Sequence, residues 1–177
     1  MKNWIRLACL AVGAALAFAS AAESEQASEP SKASTVREGT VVDIKPNRIV
    51  LMAVANAGDR LVAVGERGFA LLSDDAGKTW KAVGTPVNRT LTGIAFNGDK
   101  LGVAVGHGGM LVRTEDGGDT WTAVPVDEAM GESLLGVTAL GDGRFAAYGA
   151  FGMYFDTTDG GLSWTRRIII DEYFEAH

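Results

Sequence analysis

The 177 residues include 16 Lys and Arg against 22 Asp and Glu, a net charge of −6, with 47% hydrophobic residues and a single cysteine. An acidic chain with no basic run is a poor partner for nucleic acid or anionic lipid. One cysteine excludes an internal disulfide framework, so stability must come from packing.

Residues 1–21 read as a secretory signal peptide. Lys2 and Arg6 form a positive n-region, Leu7 to Phe18 is an apolar h-region too short to span a bilayer comfortably, and Ala19-Ser20-Ala21 offers small residues for cleavage. Ala17-Phe18-Ala19 is a second candidate site. Cys9 lies ahead of most of the h-region, too early for a lipid-attachment box, and it leaves with the leader. The mature chain would carry 14 basic and 22 acidic residues, a net charge of −8, and would be periplasmic or secreted. No later segment is long and apolar enough for a transmembrane helix. Residues 22–38, rich in Ser, Ala and Glu without apolar periodicity, read as a disordered linker.

From Gly39 the texture changes to short apolar runs broken by Gly, Asp and Asn, the pattern of an all-β domain over 39–177. A short strand is expected at Thr40–Ile44, before Pro46. Three four-stranded units follow, at about 48–87, 88–126 and 132–170. The first reads as Ile49–Ala55, Leu61–Gly65, Phe69–Ser73 and Thr79–Val83, and the second as Leu91–Phe96, Leu101–Gly106, Met110–Thr114 and Thr120–Val124. The third reads as Leu134–Leu140, Arg144–Gly149, Met153–Thr157 and Ser163–Ile169. Helix is limited to one turn within Val126–Glu132.

The units are defined by a box of pattern [S/T]-x-D-x-G-x-[T/S]-W, present as Ser73–Trp80, Thr114–Trp121 and Thr157–Trp164. Its tryptophans lie 41 and 43 residues apart, the period of a propeller blade. Gly65-x-x-Gly68, Gly106-x-x-Gly109 and Gly149-x-x-Gly152 each begin 15 residues before their tryptophan. In the box, Asp75, Asp116 and Asp159 can accept turn N–H groups as Asx turns do, and Ser73, Thr114 and Thr157 can add a hydroxyl bond. Gly77, Gly118 and Gly161 supply positive φ, and Trp80, Trp121 and Trp164 start the next strand and pack over the turn or a neighbouring blade. This is a structural role. Paired-carboxylate catalysis is disfavoured, because a turn aspartate bonded to backbone amides stays ionised and faces its own turn.

In such a blade the boxes share one face with the first-to-second strand turns, and the Gly-x-x-Gly turns share the other with the links between blades. The second face carries varied tips, from which Glu66, Arg67, Arg89, His107 and Phe151 are candidate partner-binding residues. The alternative is that they are ordinary solvated turn residues. The only histidines, His107 and His177, are far apart with no Cys partner, so no metal is expected. Asp74, Asp75 and Asp116 lack the alternating loop of an EF-hand, and no helix follows Gly106–Gly109 to cradle a phosphate. No cofactor is expected.

The boxes resemble the Asp-box of BNR repeats. The strings LVAVGERGFALLSDDAGKTW, GVAVGHGGMLVRTEDGGDTW and YGAFGMYFDTTDGGLSWTRR resemble the photosystem II stability/assembly factor-like family, over about Arg48 to His177. The resemblance implies a β-propeller without enzymatic activity that helps another protein assemble, with a protein partner in the cell envelope such as a transporter complex. A sialidase-type glycoside hydrolase also carries Asp-boxes, but the arginines here are scattered and no F/Y-R-I-P segment precedes the first box. A carbohydrate-binding repeat protein is a third reading, supported by Phe151 alone.

Propellers typically close with four to eight blades, and three are present here. A fourth is expected to begin at Asp171-Glu172-Tyr173, so the chain is expected either to be truncated or to complete its ring with a second copy. Val50, Leu51, Val62 and Val64 at one end, and Phe145, Tyr148, Tyr154 and Phe155 at the other, are expected to include uncovered apolar residues, with Ile168-Ile169-Ile170 as an unpaired edge.

Overall fold

The computed structural model describes residues 49–169. The expected signal peptide, the linker, the Thr40–Ile44 strand, Ile170 and Asp171-Glu172-Tyr173 lie outside the described residues. Twelve strands form three antiparallel four-stranded sheets, each in sequence order. Blade 1 comprises β1 (Leu51–Ala57), β2 (Arg60–Gly65), β3 (Phe69–Ser73) and β4 (Lys81–Gly84). Blade 2 comprises β5 (Leu91–Asn97), β6 (Leu101–Gly106), β7 (Leu111–Thr114) and β8 (Thr122–Ala123), and blade 3 comprises β9 (Leu134–Gly141), β10 (Arg144–Gly149), β11 (Tyr154–Thr157) and β12 (Thr165–Arg167). The chain is an all-β partial propeller, with β1, β5 and β9 side by side as the inner strands.

Side chains alternate across each strand, so every blade has two faces to bury. Val62, Val64, Ala70, Leu72 and Val83 of blade 1 pack against Leu91, Ile94, Ala104, Val112 and Trp121 of blade 2. The opposite face of blade 2, with Val103, Val105 and Leu111, packs against Leu134, Phe145, Ala147 and Phe155 of blade 3. Blade 2 is thus apolar on both sides and buried between its neighbours.

Each box closes its turn by the same bonds. In blade 2, Asp116 Oδ1 accepts from the Thr120 backbone N–H at 2.9 Å and from the Thr114 hydroxyl at 2.8 Å, and Oδ2 accepts from the Thr120 hydroxyl at 2.5 Å. The Thr114 oxygen accepts in turn from the Gly118 N–H at 2.9 Å, and the Trp121 indole N–H donates to the Gly118 carbonyl at 2.9 Å. Ser73, Asp75, Gly77, Thr79 and Trp80 repeat this in blade 1, and Thr157, Asp159, Gly161, Ser163 and Trp164 in blade 3. The box glycines take φ of +85, +95 and +85° as expected. They also need clearance: a Cβ on Gly118 would stand 3.0 Å from Leu72 of blade 1, and one on Gly161 would stand 2.9 Å from Val103 of blade 2.

The tryptophans do not begin the fourth strands. Their indoles are tied back into the turn, and the strands proper run from Lys81, Thr122 and Thr165, shorter than expected, with Trp121 alone of the three making a bridge. Their rings fill cores instead. Trp121 is buried between blades 1 and 2, while Trp164 packs between blades 2 and 3 and Trp80 against Ala63, Leu71 and Ala82.

These bonds fix the charge state of the boxes. The Thr79 hydroxyl and N–H, with the Ser73 hydroxyl, hold the Asp75 carboxyl at about 2. The Ser163 hydroxyl holds the Asp159 carboxyl well below the usual carboxylate range, against some loss of hydration. For Asp116 partial burial pushes upward, and the Thr120 and Thr114 bonds outweigh it. Two arginines join boxes across blades. Arg60 donates to Asp74 at 2.6 Å within its own blade and to Asp119 at 2.8 Å in blade 2, and Arg113 donates to the Gly160 carbonyl of blade 3 at 2.5 Å.

The expected bare ends are corrected in part. Val62, Val64, Phe145 and Phe155 point towards blade 2 and are buried, because strand alternation places them on the inner side. Val50, Leu51 and Tyr148 are exposed, Tyr154 is half-buried, and Ile168 and Ile169 are exposed beyond the end of β12.

Replacing Asp116 with Ala removes three hydrogen bonds from one turn and should lower stability by about 1–3 kcal/mol, measured by urea unfolding. The box carboxylates are depressed in the fold, so their stabilisation is complete above the unfolded value near pH 4 and is lost as pH falls through the folded value. For Asp75 that window runs from 3.8 down to about 2. Acid unfolding should therefore lie in this range, with the midpoint of Asp75→Asn protein less dependent on pH there.

Candidate functional site

The boxes and the Gly-x-x-Gly corners lie at opposite ends of the strands, as the order of hairpins requires. On the box side, the Gly117 N–H donates to Lys100 O and the Gly160 N–H to Gly143 O, so each of these boxes sits beside the first hairpin of its blade. On the other side, Glu66 N–H donates to Val50 O, His107 N–H to Thr90 O and Ala150 N–H to Ser133 O. These bonds place each corner against the residue that leads into the inner strand of the same blade. A Cβ on Gly65, Gly106 or Gly149 would collide with that same carbonyl oxygen, which is the reason the first glycine recurs.

The second glycine has a different duty. Gly68 lies beneath the link to blade 2, where Thr85 donates to its carbonyl from the hydroxyl at 2.7 Å and from the N–H at 3.1 Å. Gly109 lies beneath the link to blade 3, against Ala129, within a 3-10 turn at Asp127–Ala129 that answers to the expected single helical turn. At Gly152 nothing stands within 4 Å. A shallow hollow of about 290 Å³ opens there, lined by Phe151, Gly152, Arg166, Arg167, Ile168 and Ile169.

The third residue of each corner is left-handed in all three blades: Arg67 at φ 59°, Gly108 at 73° and Phe151 at 55°. Glycine takes this conformation freely, whereas a side chain there costs roughly 1–2 kcal/mol. Two of the three corners nonetheless carry large side chains, and both project outward. Arg67 is exposed and Phe151 is 84% exposed.

The five sequence candidates do not form one cluster. Arg89 lies across Gly108, its Cδ, Nε and Cζ within 3.4 Å of where a Cβ would stand, and thus shares the second corner with His107. His107 Nδ1 meets the Ser133 hydroxyl at 2.9 Å. Glu66 and Arg67 belong to the first corner and Phe151 to the third. Among the described residues, Arg67 and Arg89 form no ion pair. Ser133 was not anticipated from sequence; its signal is positional, as the counterpart of Val50 and Thr90. The box residues lie on the opposite face with their carboxylates engaged by their own turns. No group of three or more metal-ligating side chains occurs among the described residues.

The chain has the fold of solved YCF48 proteins. One, described as YCF48 bound to D1 peptide, is 22% identical with a TM-score of 0.61, over 72% of this chain and 46% of that one. Another, YCF48 from Cyanidioschyzon merolae, is 25% identical with a TM-score of 0.61, over 70% of this chain and 41% of that one. The chain thus spans less than half the length of these structures. No curated protein matches the sequence. The family profile described as Photosynthesis system II assembly factor YCF48 matches residues 31–172, most of the sequence, and the chain therefore belongs to that family.

Proposed function

We propose that this protein is a non-enzymatic binding factor that presents its Gly-x-x-Gly face to a polypeptide partner in the cell envelope. The observation that carries this reading is the pair of large side chains, Arg67 and Phe151, held left-handed at exposed corner tips where blade 2 uses Gly108. Non-glycine residues in this conformation cluster at ligand-binding and active sites; Ala76 and Asp142 on the box side share it but carry short side chains, whereas Arg67 and Phe151 present large ones. Two guanidinia without an ion-pair partner among the described residues, Arg67 and Arg89, suit an anionic group on that partner. The relative described with a D1 peptide supports a polypeptide as the ligand class. Export with cleavage near Ala21 supplies the location.

Arg67→Gly and Phe151→Gly should each leave the fold as stable or raise its stability by up to about 1 kcal/mol, while weakening partner capture. Photo-crosslinking residues placed at Arg67 and His107 in cells should trap the same polypeptide, and one at Lys78 on the box face should not. Equal adducts from Lys78, or none from either corner, would count against this face. N-terminal sequencing from a periplasmic fraction should find Ala22 first; an intact Met1 in the cytosol would contradict export.

A further inference from the structure

The second link between blades is longer than the first. Leu91 follows Trp80 by 11 residues, whereas Leu134 follows Trp121 by 13. The added length goes into the 3-10 turn Asp127–Ala129, which ends at Met130 with φ +49°. Ala129 is fully buried against Gly109 and plugs the loop into the core between blades 2 and 3. Backbone bonds fix the rest: Met130 N–H donates to Asp127 O at 3.0 Å, and Glu132 N–H to Ala129 O at 2.8 Å. Met130 rides on this plug with 74% of its surface exposed. It is a further large side chain held left-handed on the corner side, beside Arg67 and Phe151. The fold gains little from an apolar tip surrounded by water, and glycine adopts that backbone more readily.

This loop and Arg89 meet on adjacent glycines of the second corner. Arg89 lies over Gly108, its Cδ 3.1 Å from where a Cβ would stand. The loop lies over Gly109, with Ala129 Cβ 2.9 Å and the Gly131 nitrogen 3.8 Å from the equivalent point. The corner thus runs, without a side chain at Gly108, between a guanidinium supplied by the first link and an apolar tip supplied by the second. The two sides differ in charge. Arg89 makes no ion pair among the described residues. The loop bearing Met130 carries Asp127, Glu128 and Glu132, of which Glu128 accepts from the Arg166 backbone N–H at 3.2 Å. Both joints lie inside the described array, so the arrangement is independent of what adjoins blades 1 and 3.

We propose that the second corner is a clamp for an extended polypeptide segment. The segment lays a carboxylate side chain on Arg89, crosses the bare backbone of Gly108, and sets an apolar side chain followed by a basic one against Met130 and its acidic rim. This rests on the corner-face reading above and adds to it a charge pattern and a direction. An apolar centre with a charged rim is the usual anatomy of a recognition surface. A segment with the charges exchanged would bring like charges together on both sides and be rejected. The flexible thioether of Met130 adapts to apolar side chains of different shape, so the clamp selects a pattern more than one sequence.

The probe is a display library of random dodecapeptides selected on the full chain. Recovered peptides should share an acidic, then an apolar, then a basic residue, in one direction. By fluorescence anisotropy, Arg89→Glu and Met130→Gly should each weaken them about tenfold or more, and Met130→Leu should retain binding. Melting of Met130→Gly should be unchanged or higher, since glycine suits this backbone. Peptides without the pattern, peptides indifferent to both substitutions, or a library that yields no binder would overturn the clamp. Peptides weakened by Arg67→Gly but not by Arg89→Glu or Met130→Gly would overturn the clamp and leave the corner face standing. Peptides weakened only by Lys78→Glu, on the box side, would overturn both.

Discussion

The indole of each box tryptophan joins the smallest scale of this protein to the largest. Its N–H caps the carbonyl of the box glycine, so the ring cannot leave the turn that the aspartate has closed. The same ring then lies in the core beside that turn, and in Trp121 it is buried between two blades. A local hydrogen-bonded hairpin thereby sets where the interface between sheets must fall. Without the carboxylate lock the turn would be free to open, and the ring that aligns the blades would have no fixed origin.

Arginines extend this logic across blades without repeating it. Arg60, at the start of β2, bridges the first and second boxes, and Arg113, on β7, holds the third. The two come from different positions in their blades, so the clamp is not part of the repeat. Arg60 keeps its charge firmly, through hydrogen bonds to Asp74 and Asp119 that outweigh partial burial. Exposed ion pairs contribute little each to stability. Here they act chiefly to fix the spacing of turns already made rigid by their own bonds.

The opposite face is built on clearance. Three glycines let the corner approach a backbone carbonyl, and two more admit the links between blades. What remains variable is the tip, where Arg67, His107 with Gly108, and Phe151 stand on identical backbone supports. A rigid scaffold carrying different side chains at equivalent points is a physical basis for recognition, since the backbone beneath the tips is already ordered in folding.

The sequence by itself determined the blade period, the strand order, the box chemistry and the segregation of boxes and corners to opposite faces. All of these rest on short-range rules, namely hairpin connection, turn hydrogen bonding and positive φ at glycine. It named Glu66, Arg67, His107 and Phe151 at the corners and Arg89 in a link between blades, but only the tertiary structure showed that Arg89 folds over Gly108, that His107 meets Ser133, and that a hollow lies open beside Gly152. The tertiary structure also decided which apolar residues face outward. Val62 and Val54 look alike in the sequence, yet one is buried and the other bare. Alternation says that neighbours along a strand point opposite ways, and only the packing of whole sheets decides which way is in.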